Sequence, residues 1–353
     1  MRNSGENKPK VSIVIPSFNR RQFLPETIES VVSQTFTNWE CLVVDDRSTD
    51  DTGKLIQERF GRDPRVIFVT RTRPVKGACA CRNEGLERAR GDYVIFLDSD
   101  DILLPIALEN RVQIMDNNSK IDFAVFPYYV FRKTIGDKGS ACRLMPSESS
   151  ALDRFLACHT PWQTTGPIWR RKSLDKIGGW AEDLPSWQDW DLHIRALLGD
   201  MNYKVVNEPD YYWRITRTGS ITWASVFLPH HLRSHEQILI KMVERFWQAG
   251  KLNAARLQRI VRLLAWVAAQ WASQGNAAEG VRIWRLCRKH RLIGVCQYWR
   301  GLVCFRLLPM SFGNRYIRRV MRVLLLMDIE MGLGRTRIIS DQAVENIQQS
   351  WRL

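Results

Sequence analysis

"VIFLDSDDILLP", residues 94–105, runs from an apolar stretch into three carboxylates within four positions, Asp98, Asp100 and Asp101. The apolar part is rich in β-branched and aromatic residues and reads as a buried strand. Like charges this close repel, and burial strengthens the repulsion, so a cation belongs at the strand's end. Magnesium or manganese takes oxygen ligands and completes its shell with phosphate oxygens, which suits such a cluster. The competing structural reading is an acidic turn capping a helix that Pro105 begins.

Upstream, the same grammar repeats. "VSIVIP" (11–16), "ECLVVDD" (40–46) and "RVIFVT" (65–70) read as buried strands. Helical patterns separate them over 22–34, 51–60 and 78–90, with Thr49 or Asp50 as a cap for the second and Gly91 ending the third. Strands and helices alternating at this length predict a parallel sheet with helices on both faces. Ligands of such sheets bind beyond the carboxyl ends of the strands, where "PSFNR", "DDRSTD" and "DSDD" all fall. These loops are expected to converge on one crevice.

From residue 122 the pattern is less regular. "FAVFPYYVF" is strand-like, "TTGPIWRR" a short strand or turn, and "YKVVNEPDYYWRI" (203–215) a strand or hairpin, with a helix over 188–198. Beyond residue 230 the periodicity is helical, over 231–249, 252–273, 277–290, 292–308 and 312–331. The expected organisation is a tail at 1–9, an α/β domain at 10–228 and an all-helical region at 229–353.

Charge supports that division. Lys+Arg and Asp+Glu number 30 each through residue 216, whereas the remainder holds 22 basic residues and 7 acidic ones, the whole origin of the net charge of +15. Its basic residues are interleaved with Leu, Val, Ile and Trp at helical spacing, which favours an anionic membrane surface over nucleic acid as a partner; the alternative is a soluble helical domain that is merely basic. The eight cysteines form no C-x-x-C pair, and the polar N-terminus carries no signal-peptide pattern, so reduced thiols and a cytoplasmic location are expected, peripheral on the inner membrane face. No stretch reaches about 18 uncharged apolar residues, and no transmembrane helix is expected.

"VSIVIPSFNR", "CLVVDDRSTDDT", "ACRNEGLERARGDYVIFLDSDD" and "GGWAEDLPSWQDWD" occur in this order. Together they resemble the family 2 glycosyltransferases of GT-A fold, over about residues 10–215. The resemblance implies an inverting enzyme that moves one sugar from a nucleotide-diphosphate donor, a UDP-sugar by preference, to a hydroxyl of a glycan or lipid-linked acceptor, with manganese or magnesium as cofactor. It places Pro16, Ser17 and Phe18 around the base and ribose, and gives Asp46 the base N–H. Arg82 is set against the diphosphate. Asp100 falls at the ribose or metal, Asp101 is the main metal ligand and Asp98 supports both. For Asp45 the alternative is a strand-end residue bonding Ser48 and Thr49.

The same resemblance makes Asp189, in "PSWQDWDLHI", the base that deprotonates the acceptor, with Asp191 its rival and Trp187 and Trp190 either sugar platforms or core. Its place at a helix start is expected to lower its pKa. The chain departs from many relatives by lacking a histidine after "YYWRI", where Arg214 or Arg217 is the candidate replacement against the diphosphate. His230, His231 and His235 put two nitrogens on one helical face but lack a completing carboxylate or cysteine. Two other classes stay open at this level. One is a catalytically silent sugar-nucleotide-binding scaffold; the other is a nucleotidyltransferase, although "PSFNRRQF" lacks the glycine-rich phosphate loop that such chemistry uses.

Overall fold

The computed structural model describes residues 8–137, 141–142, 150–215 and 228–307. By internal contacts the chain forms two compact units, one of Met1–Ala151, Thr160–Leu184 and Gln188–Ser220, the other of Leu152–His159, Pro185–Trp187 and Ile221–Leu353. Leu152–His159 and Pro185–Trp187, both from within 10–228, therefore group with the C-terminal helices. Polar contacts hold both: Asp153 receives Arg256 and Arg259, and Ser186 meets His231 and His235.

In the first unit, β1 (Val11–Ser17), β2 (Trp39–Asp45), β3 (Val66–Thr70) and β4 (Tyr93–Phe96) pair in parallel in the order β4-β1-β2-β3. The sheet continues outward from β4 through β9 (Pro167–Arg170), β6 (Phe123–Val125) and β10 (Tyr203–Val205), with β9 antiparallel to both of its neighbours. Seven strands in a mostly parallel sheet match the expected α/β class. Helices cover both faces because the strands alternate. Ile13 and Ile15 join the cluster formed by Leu24, Ile28 and Val31 of α1 (Leu24–Val32), while Val14 points the other way onto α3 (Ala78–Arg88). There a Cβ on Gly85 would stand 2.3 Å from Val14 Cγ1, so only glycine lets helix and strand approach this closely.

Three local expectations need correction. Gly91 is not a left-handed cap: Ala89, in extended geometry, ends α3. Gly91 instead lies against β1, where its N–H donates to Ser12 Oγ at 2.8 Å and a Cβ would stand 2.6 Å from Ser12 N. Pro105 precedes rather than opens its helix, α4 (Ala107–Asn117). Residues 203–215 are not a hairpin. β10 ends the large sheet, while β11 (Tyr211–Arg214) enters a second sheet of order β5-β11-β7-β8, with β5 (Ile102–Leu103), β7 (Tyr128–Phe131) and β8 (Ala141–Cys142). "FAVFPYYVF" is likewise split between the sheets at Pro127, which offers no N–H to a ladder.

In the second unit, α8 (Pro229–Gln248), α9 (Ala254–Ser273), α10 (Ala277–Lys289) and α11 (Val295–Leu307) follow the expected helices within three residues at each end. The helix expected over 312–331 lies outside the described residues. No described helix is long and apolar enough to cross a membrane.

Candidate active site

The acidic stretch Asp98–Asp101 joins the two sheets, leaving β4 of the large one and entering β5 of the small one. Its supports come from below. Thr165 Oγ1 donates to Asp101 Oδ2 at 2.6 Å and accepts the Asp98 N–H at 3.3 Å. Arg111, fully buried, pairs with Asp210 through two bonds of 2.7 and 2.8 Å and holds the Thr165 carbonyl at 3.0 Å. Arg214 gives its N–H to Asp101 Oδ1 at 3.2 Å and its Nε to the Asp100 carbonyl at 2.9 Å, while its far end reaches Glu26.

These contacts separate the three acids. Asp101 is 1% exposed, and each of its oxygens accepts a protein hydrogen. Burial, then Asp100 and Asp98, hold its carboxyl well above the usual range. Asp100 is half-buried, and among the described residues its carboxylate accepts no side-chain bond from another residue. Burial and the Asp98 charge push it up to about 6, against the pull of Arg20 and Arg214. Arg20 and Arg214 offset the rise only in part, which leaves room for a further cation. Among the described residues no three His, Cys, Asp or Glu gather as a complete metal set. Asp100 and Asp98 still fit a magnesium- or manganese-type ion, which uses one or two carboxylates and takes the rest from phosphate and water. Asp101, expected to be the main ligand, has both oxygens engaged by Thr165 and the Arg214 N–H, which leaves Asp100 the more exposed of the two.

Two loops border the strand ends. Ser17 stands in register with Asp45, and the Asp46 N–H donates to the Ser17 carbonyl at 2.7 Å. Asn19, in left-handed geometry, donates to Ser48 Oγ and accepts the Thr49 N–H, both at 2.8 Å. Asp45 takes Ser48 through N–H and hydroxyl at 2.7 and 2.5 Å, the strand-end alternative for that residue. Phe18 is 55% exposed beside buried Pro16 and Ser17, and Ser17 Oγ has no hydrogen-bond partner among the described residues. Asp46 is bound by Arg71 on one oxygen and by the Gly77 N–H at 2.8 Å on the other. The sequence did not single out Arg71.

On α3, Arg82 and Asn83 tie this region to the later motif. Arg82, 6% exposed, donates to Asp98 at 2.8 Å and to Gln188 Oε1 at 3.0 Å, with its guanidinium 4.4 Å from the Trp180 ring centre. Asn83 bonds Trp180 through both backbone groups, N–H at 2.8 Å and carbonyl at 2.9 Å, and Glu182 at 2.7 Å. Arg82, expected to face a diphosphate, joins the acidic turn to the start of α7 (Gln188–Leu198).

Asp189 is the second residue of α7. Its carboxylate accepts the Trp190 N–H at 2.8 Å, yet burial, assisted by Asp98, raises its pKa above the usual range. The expected lowering by the helix terminus is overridden, because desolvation exceeds the one backbone bond. Asp191 is 1% exposed and bonded to Arg195 at 2.7 Å, which also ties α7 to the Ile177 and Gly179 carbonyls. Trp190 is buried core. Arg214 is 6% exposed and committed beneath the acids, and Arg217 lies outside the described residues.

The histidines are structural. His231 Nδ1 and His235 Nε2 both meet Ser186 Oγ, at 2.8 and 2.7 Å, and His235 stacks on Trp187 with ring centres 4.0 Å apart. Trp187 is thus a packing partner within the second unit.

The family model "Glycosyl transferase family 2" matches residues 12–178. The Bacillus subtilis putative teichuronic acid biosynthesis glycosyltransferase TuaG is 35% identical over 158 residues, 45% of this chain and 56% of its own length. An uncharacterized Haemophilus influenzae glycosyltransferase is 30% identical over 204 residues, 57% of this chain and 67% of its length. An Escherichia coli relative is named UDP-Glc:alpha-D-GlcNAc-diphosphoundecaprenol beta-1,3-glucosyltransferase WfaP and is 38% identical over 120 residues, 34% of this chain and 46% of its length. The chain therefore spans about half of TuaG and of WfaP. Among solved structures, Staphylococcus aureus TarS 1–349 in complex with UDP-GlcNAc aligns with 97% of this chain and 91% of its own, at 18% identity and a TM-score of 0.60, a shared GT-A fold.

Proposed function

The chain belongs to glycosyl transferase family 2 and is a glycosyltransferase, and from that premise we propose that it moves a single sugar from a UDP-sugar to a lipid-linked glycan with inversion at the anomeric carbon. The observation that carries this reading is the Arg82 bridge. It ties the carboxylates after β4, suited to a donor diphosphate and its cation, to the first turn of α7, where Asp189 holds a carboxyl of raised pKa. TarS was solved with UDP-GlcNAc and WfaP is named for a diphosphoundecaprenol-linked acceptor, which supports the substrate classes.

In the proposed reaction Asp189 removes the acceptor hydroxyl proton. The oxygen attacks the anomeric carbon from the side opposite the nucleoside diphosphate, the new C–O bond forms, and the bond to the diphosphate oxygen breaks. A raised pKa makes Asp189 a stronger base than an ordinary carboxylate. Asp100, with Asp98, would hold the divalent cation, which supplies neutralisation of the leaving diphosphate. Asp101 serves by fixing the turn through Thr165 and β11. Phe18 would stack on the base, with Pro16 and Ser17 lining its pocket and Asp46, oriented by Arg71, at the base N–H. The basic helical region would face the anionic inner surface of a membrane, where a lipid-linked acceptor resides.

A thermal-shift panel of nucleotide sugars with and without manganese tests the donor assignment. The matching donor raises the melting temperature and does so more with metal. Stabilisation by no nucleotide, or release of pyrophosphate instead of nucleoside diphosphate during turnover, contradicts it.

A further inference from the structure

We infer that the outward face of α11, centred on Trp299, is the surface that docks on an anionic phospholipid bilayer; this rests on the membrane-facing reading of the helical region. The rotation of α11 is fixed from within its own unit. Trp284 of α10 donates its indole N–H to the Gln297 and Tyr298 carbonyls at 3.2 Å each and meets Phe305 edge-on with ring centres 5.6 Å apart. Gly301 lies against that indole so closely that a Cβ would overlap it. Gly301, Leu302, Cys304 and Phe305 are therefore the inner face.

The opposite face is apolar where solvent would call for polar residues. Val295, Trp299, Val303 and Leu307 are 53, 62, 55 and 40% exposed, and they stand four residues apart, one stripe along the helix. Ten large apolar residues are exposed among the described ones, and four of them are on this single helix. Arg300 and Arg306 are exposed on the same helix, and Arg285, Arg288 and Lys289 are exposed on α10. Between Glu279 and Asp328 the sequence holds 11 Lys and Arg and no acidic residue. A tryptophan-centred apolar stripe on a helix whose charged residues are all cations fits the headgroup boundary of an anionic leaflet, where indoles settle at the interface and each cation adds attraction. A second protein copy would meet the same positive field and be repelled.

Co-sedimentation of the full chain with phosphatidylcholine vesicles, with and without phosphatidylglycerol, tests the assignment. Binding is expected only with phosphatidylglycerol, falling with added salt, falling about fivefold for each of Arg300→Ala and Arg306→Ala, and falling at least tenfold for Trp299→Ala/Val303→Ser. The double variant keeps the wild-type melting temperature in buffer, because both side chains are more than half exposed. Equal binding to both vesicles, or undiminished binding by the double variant, overturns the inference. So does a lowered melting temperature or a dimer-to-monomer change in the variant, which would give the stripe to the chain's own residues 308–353 or to a second copy. Thermal stabilisation by nucleotide sugar with manganese is unchanged in the double variant. Its absence in wild type with vesicle binding intact would sink the proposed reaction and leave the docking face standing.

Discussion

The guanidinium of Arg82 donates to the side-chain carbonyl of Gln188 at 3.0 Å, across 106 positions of chain, while its other terminal nitrogen holds Asp98. One planar fork thus sets the distance between the acidic turn and the first turn of α7. A lysine carries the charge but not the fork. Arg82→Lys is expected to lower kcat about 10- to 100-fold at saturating donor, from the loss of one or two charge-assisted bonds of about 1.5–3 kcal/mol each. Steady-state kinetics beside a melting curve checks this; unchanged kcat would make the bridge a matter of stability alone.

The three acids should fail differently. Asp100→Asn is expected to abolish the gain in nucleotide affinity that manganese provides, with little change in melting temperature. Asp101→Asn should instead lower stability by about 1–3 kcal/mol, since an amide cannot accept from both Thr165 and the Arg214 N–H as a carboxylate does. Calorimetric titration of nucleotide with and without manganese, with a denaturant melt of each variant, separates them. The opposite pattern would restore Asp101 as the ligand.

Asp100 also sets a pH limit. With its carboxyl raised to about 6, it is protonated below that pH, and a cation must displace the proton. Metal-dependent nucleotide affinity is therefore expected to fall about tenfold per pH unit below 6 and to level off above it. Titrations from pH 5 to 8 give the slope. A flat response in that window would contradict the site.

His193 bears on folding rather than binding. It stacks on Trp169, is 1% exposed, and burial pushes its pKa down to about 3. The unfolded chain takes up this proton near pH 6.5 and the folded chain does not, so the stabilisation is present above 6.5 and is lost as pH falls toward 3. Wild type should lose stability faster than His193→Phe between pH 6.5 and 4.5, by about 2–3 kcal/mol. Parallel urea melts at the two pH values check this, and equal slopes would refute it.

Close approach at Gly85 is a test of the fold. Gly85→Ala is expected to cost about 1–3 kcal/mol by driving a methyl into Val14, and Val14→Ala in the same chain should recover most of it. Gly91→Ala has no such rescue, because its obstacle is the backbone of β1. Additive losses in the Gly85 and Val14 pair would show that helix and strand do not meet there.

The strands β1 to β4 were legible because each is a short apolar run ending in turn chemistry, and the long C-terminal helices because their periodicity persists over many turns. What lay hidden was set by distance in the chain. The order of β6, β9, β10 and β11 depends on which edge each short strand reaches, and a four-residue run such as "YYWR" carries no mark of its sheet. Asp98, Asp100, Asp101 and Asp189 stood out as carboxylates in motifs. Thr165, Arg71 and Arg111 did not, since a threonine or arginine that braces an acid from 25 to 99 positions away looks like any other. The direction of the Asp189 shift was hidden for the same reason: a helix start is visible in sequence, whereas the burial that outweighs it is not.

Asp189 is the residue on which the account turns. The decisive measurement is transfer by Asp189→Asn, with lipid-linked acceptor and donor both present and donor occupancy matched to wild type by titration. The account predicts unchanged donor affinity with nucleoside diphosphate release and glycan formation reduced about 100- to 10,000-fold. Transfer near the wild-type rate would remove Asp189 as the base and contradict the account.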